Sequence, residues 1–122
     1  GICLGMQGIG QIFGAEMELM NRPIHGFSGQ ITHKGDSIFN EIDEKFEAAR
    51  YHSWVLSEKT IHHPLKVIAK SEDGKVMAIK HLEYPIYGFQ FHPESVLTKV
   101  GFRLINNFLN QVKAKNHAKA VR

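Results

Sequence analysis

Two short motifs in the chain hold residues that could do chemistry together. In the first, Cys3 is the central residue of Gly-Ile-Cys-Leu-Gly, which matches the Gly-x-Ser-x-Gly nucleophile elbow with cysteine in place of serine. The glycines permit a sharp turn that exposes the central side chain. A helix that begins just after Cys3 would point its free N–H groups and its positive end at the sulfur, which favours the thiolate. The N–H of Leu4 is the natural donor to an oxyanion formed there.

The second motif is Gln-Phe-His-Pro-Glu-Ser, which contains His92 and Glu94. Because Pro93 favours an extended backbone at His92, the side chains of His92 and Glu94 can lie on one side and meet. A cysteine nucleophile needs a base that takes its proton, and that base needs a carboxylate that fixes its tautomer. Cys3, His92 and Glu94 supply these three roles. The alternative is a small buried cysteine together with an unrelated surface His-Glu pair.

Taken together, residues 1–7 (Gly-Ile-Cys-Leu-Gly-Met-Gln) and 87–95 (Tyr-Gly-Phe-Gln-Phe-His-Pro-Glu-Ser) resemble class I glutamine amidotransferases. Residues 25–35, 50–53 and 92–98 are similar to the glutaminase subunit of anthranilate synthase or aminodeoxychorismate synthase. The resemblance runs from Gly1 to the last predicted helix. It implies that the substrate is glutamine, that the partner receiving the ammonia is a chorismate-using synthase subunit, and that neither a cofactor nor a metal is needed.

The same resemblance implies a role for seven residues. The catalytic residues are Cys3 as nucleophile, His92 as base and acid, and Glu94 as the residue that orients His92. The substrate-binding residues are Leu4 and Gln7, together with Ser53 and Trp54, whose backbone would hold the amino-acid end of glutamine. The chain departs from the family pattern at residues 27–29, where Phe-Ser-Gly replaces the usual Lys-Thr-Ser, and at Trp54, where leucine is common.

The N-terminal half of the family domain, with several core strands and the Gly-rich loop that gives a second oxyanion donor, has no counterpart in these residues. We therefore expect residues 1–122 to be the C-terminal portion of a single glutamine amidotransferase domain. Missing strands would leave unpaired sheet edges and an uncovered apolar face. We accordingly expect the 122 residues alone to be of low stability and to have little or no glutaminase activity.

Length and composition bound the remaining function classes. The chain has 122 residues, of which 43% are hydrophobic and 22% charged, as in one soluble domain. It contains no apolar run long enough for a membrane helix and no export signal, and its single cysteine fits the reducing cytoplasm. The formal charge of +3 comes from the basic residues of the segment 113–122, which we interpret as a solvated helix end and not as a nucleic-acid site.

Periodicity predicts the elements that must position the two motifs. Apolar residues at helical spacing predict a helix over residues 6–13, in which Gly8 and Gly10 would permit close contact with a sheet. A strand or an extended loop is predicted over residues 24–33, and strands are predicted over residues 51–56, 67–69, 76–79 and 85–91, with a hairpin turn at Asp73-Gly74. Asp36 or Ser37 would cap a short turn, and Thr98 would cap a final helix over residues 100–112.

These elements predict an α/β fold with an open, mixed (partly parallel) sheet flanked by helices. The resemblance implies the flavodoxin-like class I amidotransferase version of this fold. The aromatic residues Trp54, Phe89 and Phe91 are expected in the core, and His62-His63-Pro64 in an exposed turn. The eight histidines match no zinc-binding spacing.

Other functions stay open at this point. A cysteine peptidase would use the same Cys, His and acid, although Gln7 and the His-Pro-Glu-Ser motif disfavour it. A self-processing N-terminal nucleophile is disfavoured because Cys3 is not the first residue. The chain could also be an inactive partner-binding fragment. The choice between the anthranilate and aminodeoxychorismate pathways is likewise open.

Overall fold

The computed structural model describes the backbone of residues 1–120 and the side chains of residues 1–26 and 28–116. The elements, in chain order, are helix α1 (Leu4–Ile12), strands β1 (Met17–His33), β2 (Lys45–Leu56), β3 (Leu65–Ser71), β4 (Val76–His81) and β5 (Tyr87–Phe89), and helix α2 (Gly101–Ala120). Short 3-10 helices span Ser37–Phe39 and Glu58–Thr60. The end of the predicted basic tail, residues 121 and 122, lies outside the described residues.

The five strands form one sheet in the order β2-β1-β3-β4-β5, and each pair of neighbours is antiparallel. A parallel bridge between Ile2 and Phe89 joins the segment before α1 to β5. The α/β fold class is confirmed. Within residues 1–120, the parallel part of the predicted mixed sheet is confined to this bridge.

Both helices and the β3–β4 hairpin lie where the sequence predicts them, but the strands differ in length from the predicted ones, as β1 and β5 show. Strand β1 begins at Met17 because residues 17–19 already pair with β2, and the Asn-Arg-Pro segment forms an irregularity inside the strand without ending it. Strand β5 is limited to Tyr87–Phe89 because only these three residues pair with β4. The predicted cap of the short turn is confirmed, since Asp36 accepts a hydrogen bond of 3.0 Å from the Ile38 N–H.

The core consists of two clusters of buried apolar side chains. The larger contains Leu104 of α2 and the smaller contains Met6 of α1, and β4 contributes side chains to both. The sheet is therefore covered by a helix on each face, as expected for an α/β protein. Phe89 and Phe91 are buried as predicted, but the expectation for Trp54 was wrong. Trp54 is 47% exposed, and its partner in the register of β1, Leu19, is exposed as well, so the sheet is open to solvent at this pair.

Close contact with the sheet explains one of the two helix glycines. A Cβ atom on Gly10 would lie 2.6 Å from Cδ1 of Leu56, so only glycine lets α1 approach β2 at this point. The same explanation is wrong for Gly8, because no atom lies within 4 Å of the position of its Cβ. Gly88 of β5 meets Met6 in the same way as Gly10 meets Leu56, and these two contacts seat α1 on the sheet.

The structure also tests for membrane-spanning helices, for the predicted histidine turn and for metal-binding clusters. None of the helices within residues 1–120 combines the length and apolar character that a membrane crossing requires. His62 and His63 are exposed in a turn closed by a hydrogen bond from the Leu65 N–H to the His62 carbonyl, as predicted. In the described part of the chain, no three His, Cys, Asp or Glu side chains converge as a metal site would require.

Candidate active site

The segment Gly1–Cys3 forms the predicted elbow beside β5. The Cys3 N–H donates to the Phe89 carbonyl at 2.7 Å, and the Phe89 N–H donates to the Gly1 carbonyl at 2.8 Å. The chain then turns sharply, with a φ of 74° and a ψ of −93° at Cys3, and α1 begins at Leu4. A positive φ is strained for a residue with a Cβ atom, and the hydrogen bonds to β5 hold Cys3 in this conformation.

The Cys3 sulfur lies among three polar groups, the Tyr51 carbonyl, the Gln90 amide and the Leu4 N–H. Its thiol donates to the Tyr51 carbonyl at 3.7 Å, and Nε2 of Gln90 donates to the sulfur at 3.4 Å. Burial raises the pKa of the Cys3 thiol above its ordinary value, and the Leu4 N–H and Gln90 oppose that rise. The expected effect of the helix start on the sulfur is therefore present, but desolvation outweighs it. The raised pKa disfavours the thiolate, so a nucleophilic reaction at this sulfur would require a base.

His92 has the geometry of such a base. Its Nδ1 lies 2.8 Å from Oε2 of Glu94, and because a carboxylate only accepts hydrogen bonds, Nδ1 carries the proton. The opposite ring atom, Nε2, is buried and has no hydrogen-bond partner among the described residues. Its lone pair is therefore available for a proton.

Backbone contacts to β2 fix the loop that carries His92. The His92 N–H donates to the Ala49 carbonyl at 2.9 Å. The Thr98 hydroxyl donates to the His92 carbonyl at 2.7 Å and accepts from the Ala49 N–H at 2.9 Å. The prediction that the Thr98 side chain caps α2 was wrong, because its hydroxyl makes these two bonds, and only its carbonyl accepts from the Gly101 N–H.

Tyr51 of β2 contacts both sides of the site. Its carbonyl accepts the Cys3 thiol, and its ring packs edge-on against the His92 ring, with the centroids 5.3 Å apart. Among the described residues, Cys3 and His92 share no hydrogen bond; catalytic hydrogen bonds are often long in unliganded proteins. The structure therefore places the three predicted catalytic residues around Tyr51. Sequence reasoning missed Tyr51, although it lies in the segment 50–53 that carried the resemblance.

The four predicted substrate-binding residues lie on α1 and β2, and a hydrogen bond joins two of them, Gln7 and Trp54. Leu4 is the first residue of α1, and its N–H faces the Cys3 sulfur. Gln7 is 8% exposed, and its Nε2 donates to the Trp54 carbonyl and to Oε1 of Gln90, each at 3.0 Å. Ser53 lies opposite the irregular segment 20–23 of β1 and has no partner in the strand register.

The chain matches the family "Glutamine amidotransferase class-I" over residues 1–112. It belongs to this family. Among its relatives, the anthranilate synthase component 2 of Saccharolobus solfataricus is 47% identical over 92% of this chain and 58% of the relative. The aminodeoxychorismate synthase component 2 of Klebsiella aerogenes is 38% identical over 91% of this chain and 59% of the relative.

The solved structures agree with this family assignment. A putative GMP synthase protein of Thermoplasma acidophilum superimposes with a TM-score of 0.89 at 25% identity, over 98% of this chain and 59% of that one. The class I amidotransferase fold of the chain is thus shown independently of its motifs. This chain spans less than two thirds of each of these three proteins.

Three polar residues of this amidotransferase site went unnoticed at the level of sequence. Gln90 is fully buried next to the sulfur, and the side chains of Arg50 and His52 are buried further along β2. Burial, aided by the charge of Arg50, lowers the pKa of His52 to about 4, so this imidazole is neutral. The signal for Gln90 was its place two residues before His92, directly after strand β5.

Proposed function

We propose that this chain carries the glutaminase site of a two-component synthase, in which ammonia from glutamine passes to a chorismate-using subunit. The observation that carries the proposal is the state of His92. Glu94 holds the proton on Nδ1, and the buried Nε2 has no hydrogen-bond partner among the described residues, while the Cys3 sulfur and the His92 ring both contact Tyr51. A thiol nucleophile and a base with a free lone pair are the two groups that amide hydrolysis at neutral pH requires.

The reaction proceeds through a thioester. His92 Nε2 takes the thiol proton as the Cys3 sulfur attacks the side-chain amide carbon of glutamine. The Leu4 N–H donates to the resulting oxyanion. The C–N bond then breaks, and His92 returns the proton to the departing nitrogen, which leaves as ammonia. Water, deprotonated by His92, attacks the thioester, so that glutamate forms and the thiol is restored.

The substrate end of the site is formed by the backbone of β2. Ser53 lacks a strand partner, so its backbone groups are free to bind the α-amino and α-carboxyl groups of glutamine. The Trp54 carbonyl already accepts from Gln7 and lies 3.2 Å from Nδ1 of His52. The two recorded bonds of Gln7 occupy its NH2 group, so the substrate contact that the family resemblance implies for Gln7 is assigned to its amide oxygen.

We assign the partner as the chorismate-using subunit of anthranilate synthase. The relative named anthranilate synthase component 2 from Saccharolobus solfataricus is 47% identical, against 38% for the aminodeoxychorismate synthase component 2 from Klebsiella aerogenes. The alternative partner is the chorismate-using subunit of aminodeoxychorismate synthase, which the relative from Klebsiella aerogenes favours. Assays of the complex for anthranilate and for aminodeoxychorismate distinguish the two partners.

A glutamine-analogue chloroketone tests the site directly. We expect intact-mass analysis to find one label on the chain, located at Cys3, with glutamine slowing the reaction. The Cys3→Ser variant is the matched control and stays unlabelled. A chloroketone built on phenylalanine tests the peptidase alternative. Equal labelling by both reagents contradicts a glutamine site, and so does no labelling of the complete enzyme, in which the N-terminal half of the domain is present.

A comparison of glutamine and added ammonia as nitrogen donors tests the proposed partner. With the synthase subunit present, Cys3→Ser is expected to abolish product formation from glutamine and to leave product formation from added ammonia unchanged. Loss of both activities contradicts the proposed role of Cys3, because ammonia bypasses the thiol. Retention of both contradicts it as well.

A further inference from the structure

A chain of buried hydrogen bonds runs from the interior of the protein to the Cys3 sulfur. Its last member is Gln90, whose side chain is fully buried. Nε2 of Gln90 donates to the sulfur at 3.4 Å, and its Oε1 accepts from Nε2 of Gln7 at 3.0 Å. The Gln90 N–H also donates to the Met77 carbonyl at 2.9 Å, so both the backbone and the side chain of this residue are fixed.

The Trp54 carbonyl sets the direction of these bonds. A carbonyl oxygen can only accept, so the group of Gln7 that lies 3.0 Å from it must be the NH2 group. That same NH2 group faces Gln90, so the group of Gln90 opposite it must be the amide oxygen. The NH2 group of Gln90 is then the one that faces the sulfur. A donor at the sulfur is therefore a consequence of the backbone of β2 and not of a freely rotating amide.

A second pair of residues holds the Trp54 carbonyl from the other side. Nε of Arg50 lies 3.1 Å from Nε2 of His52, and because guanidinium only donates, this imidazole nitrogen accepts. Nδ1 of His52 therefore carries the proton and donates to the Trp54 carbonyl at 3.2 Å. The donor and acceptor of each hydrogen bond from Arg50 to the sulfur are thus fixed, because the Arg50 guanidinium can only donate and the Trp54 carbonyl can only accept.

We propose that Gln90 takes part in the reaction by donating to the Cys3 sulfur as it gains negative charge, and that Gln7 is the positioning residue that keeps this donor aimed. The proposal rests on the assignment of Cys3 as the nucleophile. It gives Gln7 a task in addition to substrate contact, because its two amide protons connect the Trp54 carbonyl to Gln90. A hydrogen bond to a charged sulfur in a desolvated site is stronger than one to the neutral thiol.

The electrostatics of the thiol agree with this geometry. Gln90 and the Leu4 N–H lower the pKa of Cys3, against the larger effect of burial. Loss of the Gln90 donor leaves the Leu4 N–H as the remaining opposing group. The thiolate is then less populated at every pH below its midpoint.

The test is the pH dependence of Cys3 alkylation by iodoacetamide, measured on the full 122-residue chain. Gln90→Met preserves the volume of the side chain and removes the donor. We expect the midpoint of its rate profile to move upward by about half a unit to one unit, which lowers the alkylation rate at neutral pH roughly three- to tenfold. Gln90→Glu replaces the donor by a carboxylate, and its midpoint is expected to move further in the same direction.

The controls separate this effect from a general loss of structure. Gln30→Met, at a half-buried glutamine of β1, is expected to leave the midpoint unchanged. Gln7→Met keeps Gln90 and removes its support, so a smaller upward movement is expected. Thermal melting and near-ultraviolet circular dichroism establish that each variant is folded, and Gln7→Met carries the test if Gln90→Met does not fold.

The outcomes distinguish this proposal from the proposed function. An unchanged midpoint in folded Gln90→Met and Gln7→Met overturns the role of Gln90, whatever the glutaminase result. A raised midpoint, together with no labelling of the complete enzyme by the glutamine chloroketone, supports the role of Gln90 at the sulfur and contradicts the glutamine site. A raised midpoint in the Gln30→Met control as well shows a nonspecific effect and also overturns the proposal.

Discussion

The two sides of the active site are supported in different ways. Behind Cys3, polar support comes from the interior, through Gln90 and Gln7, which have 0% and 8% of their surface exposed. His92 is instead oriented by Glu94, whose side chain is 55% exposed, and by a loop tied to Ala49. The position of the proposed nucleophile therefore depends on core packing, whereas that of the proposed base depends on a surface carboxylate and on local backbone contacts.

This difference predicts which substitutions change the free energy of unfolding and which change only the reaction rate. A buried amide that loses its partner costs about 1–3 kcal/mol of folding free energy, so changes behind Cys3 affect the fold and the reaction together. A hydrogen bond to a solvent-exposed carboxylate contributes about 0–1 kcal/mol, so a change of the carboxylate beside His92 affects the reaction with little effect on stability. Three substitutions test the comparison.

The largest effect is expected for Glu94→Gln on the His92 side. Glutamine no longer selects the tautomer in which Nδ1 carries the proton, so Nε2 ceases to be a reliable base. We expect glutamine-dependent turnover of the complete enzyme to fall by roughly two to four powers of ten. The free energy of unfolding in urea is expected to change by less than about 0.5 kcal/mol.

The matched control for Glu94→Gln is Glu72→Gln, at an exposed carboxylate next to the β3–β4 turn. It is expected to change neither turnover nor stability. If Glu94→Gln unfolds the chain, or if it leaves turnover intact, the surface carboxylate does not orient the base, and the contrast between the two sides disappears.

Gly101→Ala tests the packing beneath the His92 loop. A Cβ atom at Gly101 would collide with the backbone carbonyl of Pro93, and a main-chain group cannot rotate away as the end of a side chain can. We expect a loss of about 3 kcal/mol in the free energy of unfolding, measured in urea. Because Pro93 separates His92 from Glu94, the pair is expected to be displaced as well.

Gly8→Ala is the matched control, since it also adds one methyl group to a helix. Nothing lies within 4 Å of its Cβ position, so higher helix propensity is expected to stabilise the protein by about 1 kcal/mol. Opposite signs for the two substitutions support the contact with Pro93. Equal signs would show that helix propensity, and not this contact, governs Gly101.

The elements and the two motifs could be predicted because their signals are local. Periodic apolar residues mark α1 and α2, and Asp73-Gly74 marks the hairpin turn. The proximity of His92 and Glu94 follows from Pro93 between them. Each of these inferences uses residues a few positions apart, and each describes the backbone as the structure has it.

The connections behind Cys3 could not be predicted because they join residues distant in sequence. Gln7 and Gln90 are 83 positions apart, and a glutamine gives no periodic signal of its own. Thr98 illustrates the same limit, since its spacing before α2 suggested a cap, whereas the proximity of Ala49 decides where its hydroxyl bonds. The partner of a polar side chain is set by tertiary structure, which spacing does not reveal.

The smallest expected effect concerns His52, on the Cys3 side, and the pH dependence of stability. Burial lowers the pKa of His52 to about 4, against an ordinary value of 6.5, so the unfolded chain binds a proton at this residue more tightly than the folded one. Its neutral form supports the folded state fully above pH 6.5, and that support is lost as the pH falls from 6.5 to 4. The loss is expected to be on the order of 1–2 kcal/mol, because partial solvation screens the shift.

Urea unfolding at pH 7.5 and pH 4.5 measures this loss, and His52→Gln is expected to reduce it. Glutamine offers an oxygen to Arg50 and an NH2 group to the Trp54 carbonyl without a titratable nitrogen. His62→Gln, at an exposed histidine, is expected to leave the difference between the two pH values unchanged. If both variants keep the full difference, the acid sensitivity lies elsewhere. If His52→Gln alone removes the loss of stability between pH 7.5 and pH 4.5, protonation of His52 behind Cys3 causes that loss. The acid sensitivity of the fold then lies on the Cys3 side, opposite the proposed base His92.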